Sequence, residues 1–181
     1  MRFYEALGVE PRLTLDPDDL KKRFYERSRQ WHPDRFGRAS APEQQKALEM
    51  TALLNDAFRT LRDPVTRAGY FLEENRIAAS KQPPPELLEE VFEMNMALEE
   101  LRAGDESVLP QLLDARKRFT HICEEIDHGL STLCIQYDKS IDRSQPDASL
   151  LLAIRGTLDR RQYVSNLIRE VEKQLNVHVS N

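Results

Sequence analysis

Apolar side chains along this chain recur at three- and four-residue intervals with few β-branched runs, a pattern that predicts helices rather than sheet. Phe3 to Leu7 reads as one or two helical turns closed by Gly8. Pro11 to Leu15 reads as a loop, and Asp16-Pro17-Asp18-Asp19 as a helix start: an N-cap, a proline at the first helical position and acids in the first turn. The helix that follows buries one stripe, Leu20, Phe24 and Trp31 with small Ser28 between, until Pro33 forbids continuation. After the small-residue loop Gly37–Ala41, Ser40 and Glu43 form a capping-box pattern with Pro42 between them. That third helix runs to about Leu61, with Leu48, Thr51, Ala52, Asn55, Phe58 and Leu61 available to face inward. Asp63-Pro64 breaks it, and a last short helix from Val65 to about Glu74 packs through Ala68, Phe71 and Leu72.

Three consecutive prolines, Pro83 to Pro85, then mark a semi-rigid spacer. Beyond it the period returns in three longer segments. Glu86 to about Ala103 ends at Gly104-Asp105. A segment from about Glu106 to Ile141 puts Leu112, Phe119, Ile122, Cys123, Ile126, Leu130, Leu133, Cys134, Tyr137 and Ile141 on one stripe. At the helical rise it would extend about 50 Å. Asp147 caps the last, where Leu150, Leu151, Ile154, Leu158, Leu167, Ile168, Val171 and Leu175 keep the period. The expected fold is therefore all-α: a four-helix N-terminal domain over residues 1–76, a Pro-rich linker over 77–85, and an antiparallel three-helix bundle over 86–181.

Composition narrows the function class. The 181 residues are 31% charged and hold only six glycines, a balance that favours helices. No stretch approaches the ~18 apolar residues of a membrane span. The N-terminus has no signal-peptide pattern, and two cysteines give no disulfide framework. The expectation is a cytoplasmic protein that binds neither membrane nor nucleic acid, the net charge being −5. Charge is nevertheless uneven. Residues 1–82 are net positive and residues 83–181 net negative, which points to different partners for the two halves.

The strongest local signal is His32-Pro33-Asp34. An imidazole, a fixed proline and a carboxylate at the end of a helix sit on a stiff corner. From Lys21 to Arg38 seven cations face only Glu26 and Asp34, a local charge of +5 that suits an acidic partner. Taken alone, the tripeptide is equally a common turn opening.

A second signal lies just past the linker. Leu87, Val91, Met94, Leu98 and Leu101 follow a 4-3-4-3 spacing and suffice for a core. Leu88, Phe92 and Met96 lie on a second line roughly 140° around the same helix. Asn95 and Glu99 border that line. Spare large apolar groups read as a binding patch, with packing against the rest of the chain as the alternative.

Other signals carry less. Cys123 and Cys134 are eleven residues apart on one helix. That spacing is about 16 Å along the axis, too far to share a metal. They and the nearby His121 and His128 therefore predict no metal site. Asp16, Asp18 and Asp19 read as helix capping rather than a calcium loop. No phosphate loop or nucleophile motif is present.

The first half resembles a J domain: Phe3-Tyr4-x-x-Leu7-Gly8, a basic helix, His32-Pro33-Asp34, and Asn55-x-Ala57-Phe58-x-x-Leu61-x-x-Pro64. More narrowly, His32-Pro33-Asp34-Arg35-Phe36 and Pro64-x-x-Arg67-Ala68-x-Tyr70-x-Leu72 resemble the HscB/Jac iron–sulfur co-chaperones, in which a three-helix bundle follows the J domain. The resemblance implies a non-enzymatic co-chaperone without a cofactor or resident metal. It would stimulate the ATPase of a DnaK/HscA-type chaperone and deliver to it an IscU-like iron–sulfur scaffold protein. By position, His32, Pro33 and Asp34 would be the trigger. Lys21, Lys22, Arg23 and Arg29 would be docking cations, with Arg35 and Arg38 beyond the corner. Tyr25 and Glu26 stand where J domains are often basic, which favours a dedicated chaperone partner. The scaffold surface would comprise Val91, Phe92, Asn95, Met96 and Glu99 with Tyr163, and Leu88 from the periodicity, although the period turns Val91 toward the core. The alternative is a general folding or regulatory J protein whose bundle dimerises or holds unfolded clients. Against it, no Gly/Phe-rich tract and no zinc-type Cys repeats follow the J region. An acid–base enzyme using His32 and Asp34 is the remaining class, and it has no third group or cofactor motif to support it.

Overall fold

A computed structural model describes residues 1–80 and 85–179. The centre of the expected linker, residues 81–84, lies outside the described residues. Among the described residues every regular element is helical. By contacts the chain divides into two compact units, residues 1–78 with 134–151, and residues 79–133 with 152–181.

In the first unit α1 is Arg2–Leu7, α2 Pro17–Trp31, α3 Ala41–Arg62 and α4 Pro64–Glu74. Their boundaries come from local chemistry. Asp16 and Asp63 each accept a backbone N–H in the first turn of the helix they cap. The Glu43 carboxylate accepts from both the N–H and the hydroxyl of Ser40. Gly8 closes α1 in the left-handed region, at φ 66°, where a residue without a Cβ is unstrained. Tyr4, Leu7, Leu13, Leu20, Leu54, Leu61 and Leu72 are buried together. Each such leucine contributes about 1.5–3 kcal/mol of apolar transfer.

The inward face of α3 corrects the sequence pattern. Leu48, Ala52 and Asn55 are exposed, and the buried positions are Ala47, Leu54, Ala57 and Leu61. Two alanines on that face let α1 and α2 pack closely against α3. A pattern that scores large apolar groups places the stripe one residue off, on Leu48.

The segment 134–151 belongs to this unit through polar contacts as well as apolar ones. Asp138 is buried; its carboxylate accepts from the N–H of Leu13 at 3.0 Å, the N–H of Thr14 at 2.7 Å and the Thr14 hydroxyl. Buried Arg67 reaches the same loop, donating to the carbonyls of Leu13 and Leu61 at 2.8 and 2.7 Å. Desolvation lowers the pKa of its guanidinium. Phe71 and Tyr137 meet edge-on at 5.7 Å, a favoured aromatic geometry. The division thus departs from the punctuation of the sequence, which assigns all of residues 86–181 to one bundle.

In the second unit, α5 (Leu88–Arg102) begins after a 3-10 turn at Pro85–Leu87. α6 is Leu109–Asp142 and α7 Ala148–Val179, both continuing into the first unit. Pro110 is the second residue of α6, where its missing N–H costs nothing. Leu87, Met94, Leu98 and Leu101 pack with Leu112, Phe119, Ile126, Val164, Val171 and Leu175, the core of the three-helix bundle expected. Arg161 pairs with Asp127, and Arg102 bridges to Glu170 at 3.0 Å.

Candidate functional site

α2 ends where Pro33 forces His32 into an extended conformation, φ −61° and ψ 129°, as the ring of a following proline requires. Pro33–Phe36 then forms a 3-10 turn. The turn is braced from behind: Trp31 and Phe36 stack at 5.9 Å, Lys46 lies over the Trp31 ring, and the Thr51 hydroxyl donates to the Trp31 carbonyl at 3.1 Å. The front is open, with the His32 side chain 57% and the Asp34 side chain 89% exposed. His32 Nδ1 accepts the N–H of Asp34 at 3.3 Å. A shallow cavity of about 220 Å³ beside the corner is lined by Pro33, Phe36, Gly37, Gln44 and Leu48.

The cations around the corner fall into two groups. Lys21, Lys22, Arg29, Arg35 and Arg38 are exposed. Arg35 is turned back toward the Arg29 carbonyl, at 3.3 Å. Arg23 is instead held within the fold, its Nε 2.7 Å from Asp19 and its Nη1 donating to the Gly8 carbonyl. Arg27, also half-buried, lays its guanidinium over Gly8, where a Cβ would collide with it. Sequence counting could not separate these roles, because helical spacing does not reveal which cations meet the end of α1.

On α5 the outward line is bare: Leu88 is 53% exposed, Phe92 67% and Met96 50%. Asn95 and Glu99 are exposed beside it. Val91 and Tyr163 are half-buried and pack against the core of the second unit. The structure therefore puts Val91 on the side its periodicity indicated, at the margin of the strip.

Among the described residues no three His, Cys, Asp or Glu side chains gather as metal ligands. No described helix is long and apolar enough to cross a membrane. Both cysteines are free thiols; Cys134 is buried and Cys123 half-buried beside the Ser165 hydroxyl.

A four-helix unit with a solvent-facing His-Pro-Asp turn after a basic helix defines a J-domain protein, and residues 2–70 match the DnaJ domain family. Relatives extend this. A co-chaperone protein HscB homolog of Neisseria meningitidis is 34% identical over 109 residues, covering 58% of this chain and 66% of its own length. The match thus spans just under two thirds of that relative. The co-chaperone protein HscB of Proteus mirabilis is 39% identical over 72 residues, 40% of this chain and 42% of that protein. Among solved structures, chaperone HscB from Vibrio cholerae matches with a TM-score of 0.68 at 26% identity, covering 97% of this chain and 98% of that one. Human co-chaperone protein HscB shares the fold, with a TM-score of 0.56 at 21% identity over 96% and 84% of the two chains. The chain thus carries a DnaJ domain at its N-terminal end and is similar along most of its length to HscB co-chaperones.

Proposed function

We propose that this chain is a co-chaperone of iron–sulfur cluster assembly: it stimulates ATP hydrolysis by a DnaK/HscA-type chaperone and brings to it an IscU-like scaffold protein. The observation that carries the reading is the exposed His32–Asp34 corner, held rigid by Trp31 and Phe36 and fronted by cations. Lys21, Lys22, Arg29 and Arg38 steer the corner to an acidic ATPase surface, and Asp34 is free to hydrogen-bond a cation there. The Leu88–Phe92–Met96 strip, flanked by Asn95 and Glu99, supplies a second, apolar surface for the scaffold. Holding both partners on one chain raises the effective concentration of the scaffold at the ATPase without any chemistry by the co-chaperone itself.

The test is single-turnover ATP hydrolysis by the chaperone with and without this protein. His32→Gln is expected to abolish stimulation while the circular dichroism spectrum and scaffold binding are unchanged. Undiminished stimulation by that variant refutes the trigger assignment.

A further inference from the structure

Thr51, midway along α3, directs its hydroxyl differently from other threonines in the helices. Thr120, Thr132 and Thr157 each donate to the carbonyl four residues earlier in their own helix, at 2.8, 3.2 and 2.9 Å, the common local outlet for a helical hydroxyl. Thr51 instead donates across to α2, to the Trp31 carbonyl at 3.1 Å. That carbonyl has lost its helical donor. In a continuing helix it would receive the N–H of residue 35. Pro33 stops α2, and Arg35 donates to the His32 carbonyl at 3.0 Å. The Trp31 carbonyl and the His32 N–H belong to one planar peptide group. Fixing the carbonyl therefore fixes the plane from which the His32 backbone turns into the corner. The same two helices meet again at the Trp31 ring, where Lys46 of α3 lies 5.7 Å from the centroid.

We propose that Thr51 is a positioning residue for ATPase stimulation: its hydroxyl holds the Trp31–His32 peptide so that the imidazole and the Asp34 carboxylate meet a docked chaperone in the productive orientation. The assignment rests on the trigger role proposed for the corner and adds the residue that aims it. Thr51 is half-buried and acts through the backbone of its neighbour. Docking and triggering then separate. The exposed cations Lys21, Lys22 and Arg29 attract the ATPase with or without the hydroxyl, so affinity is retained. What falls is the fraction of docked complexes in which the corner is correctly aimed. A merely structural role makes the opposite forecast. It lowers the share of folded molecules, which raises the apparent half-maximal concentration and leaves the maximum unchanged.

The experiment titrates single-turnover ATP hydrolysis by a purified HscA-type chaperone with full-length wild type, Thr51→Val, Thr51→Ala, Thr51→Ser and His32→Gln. Val keeps the shape of threonine without the hydroxyl. Ala removes the same hydroxyl in a better helix former, which guards against loss of the fold. Ser restores the donor. Expected for Val and Ala is a maximal rate lowered roughly three- to tenfold, the range that one hydrogen bond spans, at a half-maximal concentration within about twofold of wild type. Ser should recover most of the maximum. If Val or Ala reaches the wild-type maximum at saturation, or if Ser is as impaired as Val, the positioning role is overturned while the trigger reading stands. If wild type does not stimulate, or His32→Gln stimulates like wild type, the trigger reading fails and the positioning role with it.

Discussion

Arg23 donates a 2.7 Å hydrogen bond to the carbonyl of Gly8, the residue that closes α1, and a second one to Asp19 on its own helix. A cation that counts toward the docking charge in the sequence is thus partly a fastener between α2 and the end of α1. Arg23→Ala is expected to lower the unfolding free energy by about 1–2 kcal/mol, read from chemical denaturation. The double substitution of Lys21 and Lys22 to Ala should leave stability within about 0.5 kcal/mol. It should raise the half-maximal concentration for ATPase stimulation several-fold, with the difference shrinking as salt is added. Equal losses of stability in the two variants would contradict this division of labour.

The α5 strip gives an analogous separation. Phe92→Ala with Met96→Ala removes two exposed side chains, so the thermal midpoint should hardly move. Affinity for a purified iron–sulfur scaffold protein, measured by calorimetry, should fall roughly tenfold or more. Val91→Ala should do the reverse in part, because Val91 packs on the core. Its cost should be about 1 kcal/mol of stability. A large drop in midpoint for the Phe92/Met96 pair would mean the strip is structural.

Asp138 accepts three hydrogen bonds from Leu13 and Thr14 while buried. Asp138→Asn keeps the size but puts a donor where acceptors are needed. It should destabilise the protein by about 1–3 kcal/mol in urea titrations. Asp142 lies on the exposed side of the same helix end and pairs with Arg12. Asp142→Asn should cost less than about 1 kcal/mol.

Burial pushes the Cys134 thiol up to about 11 from its ordinary value near 9, because the thiolate is desolvated there. The folded protein therefore holds this proton more tightly than the unfolded chain. Its stabilising contribution is complete below pH 9 and is lost as the pH climbs toward 11. Stability should decline by about 2 kcal/mol across that window. The decline should be shallower in Cys134→Ala, whose baseline is lower, and not vanish, because burial also raises the Tyr4 phenol. An unchanged slope in the variant would remove Cys134 from the account.

Much of this architecture is legible in the sequence because it is written locally. Asp16, Ser40, Asp63 and Gly8 act on residues within one turn of themselves, and the second stripe of α5 is a matter of counting from Leu87. The corner is legible for the same reason: Pro33 dictates the backbone of its neighbour. What stays hidden involves partners distant in sequence or packing by small residues. Nothing near Asp138 announces Leu13 and Thr14, and nothing near Arg67 announces that it reaches a loop 54 residues earlier. On α3, the buried face is marked by Ala47 and Ala57, which hydrophobic scoring ranks below Leu48.

The Asp138 contacts also bear on the order in which the molecule can be completed. A chain made from its N-terminus releases Leu13 and Thr14 long before the carboxylate that receives their N–H groups has been synthesised, some 124 residues later. The nascent Leu13–Thr14 loop must wait, with two backbone donors satisfied only by water, for most of the polypeptide to appear. Completion of the first unit is thereby timed by the synthesis of the distant segment that carries Asp138.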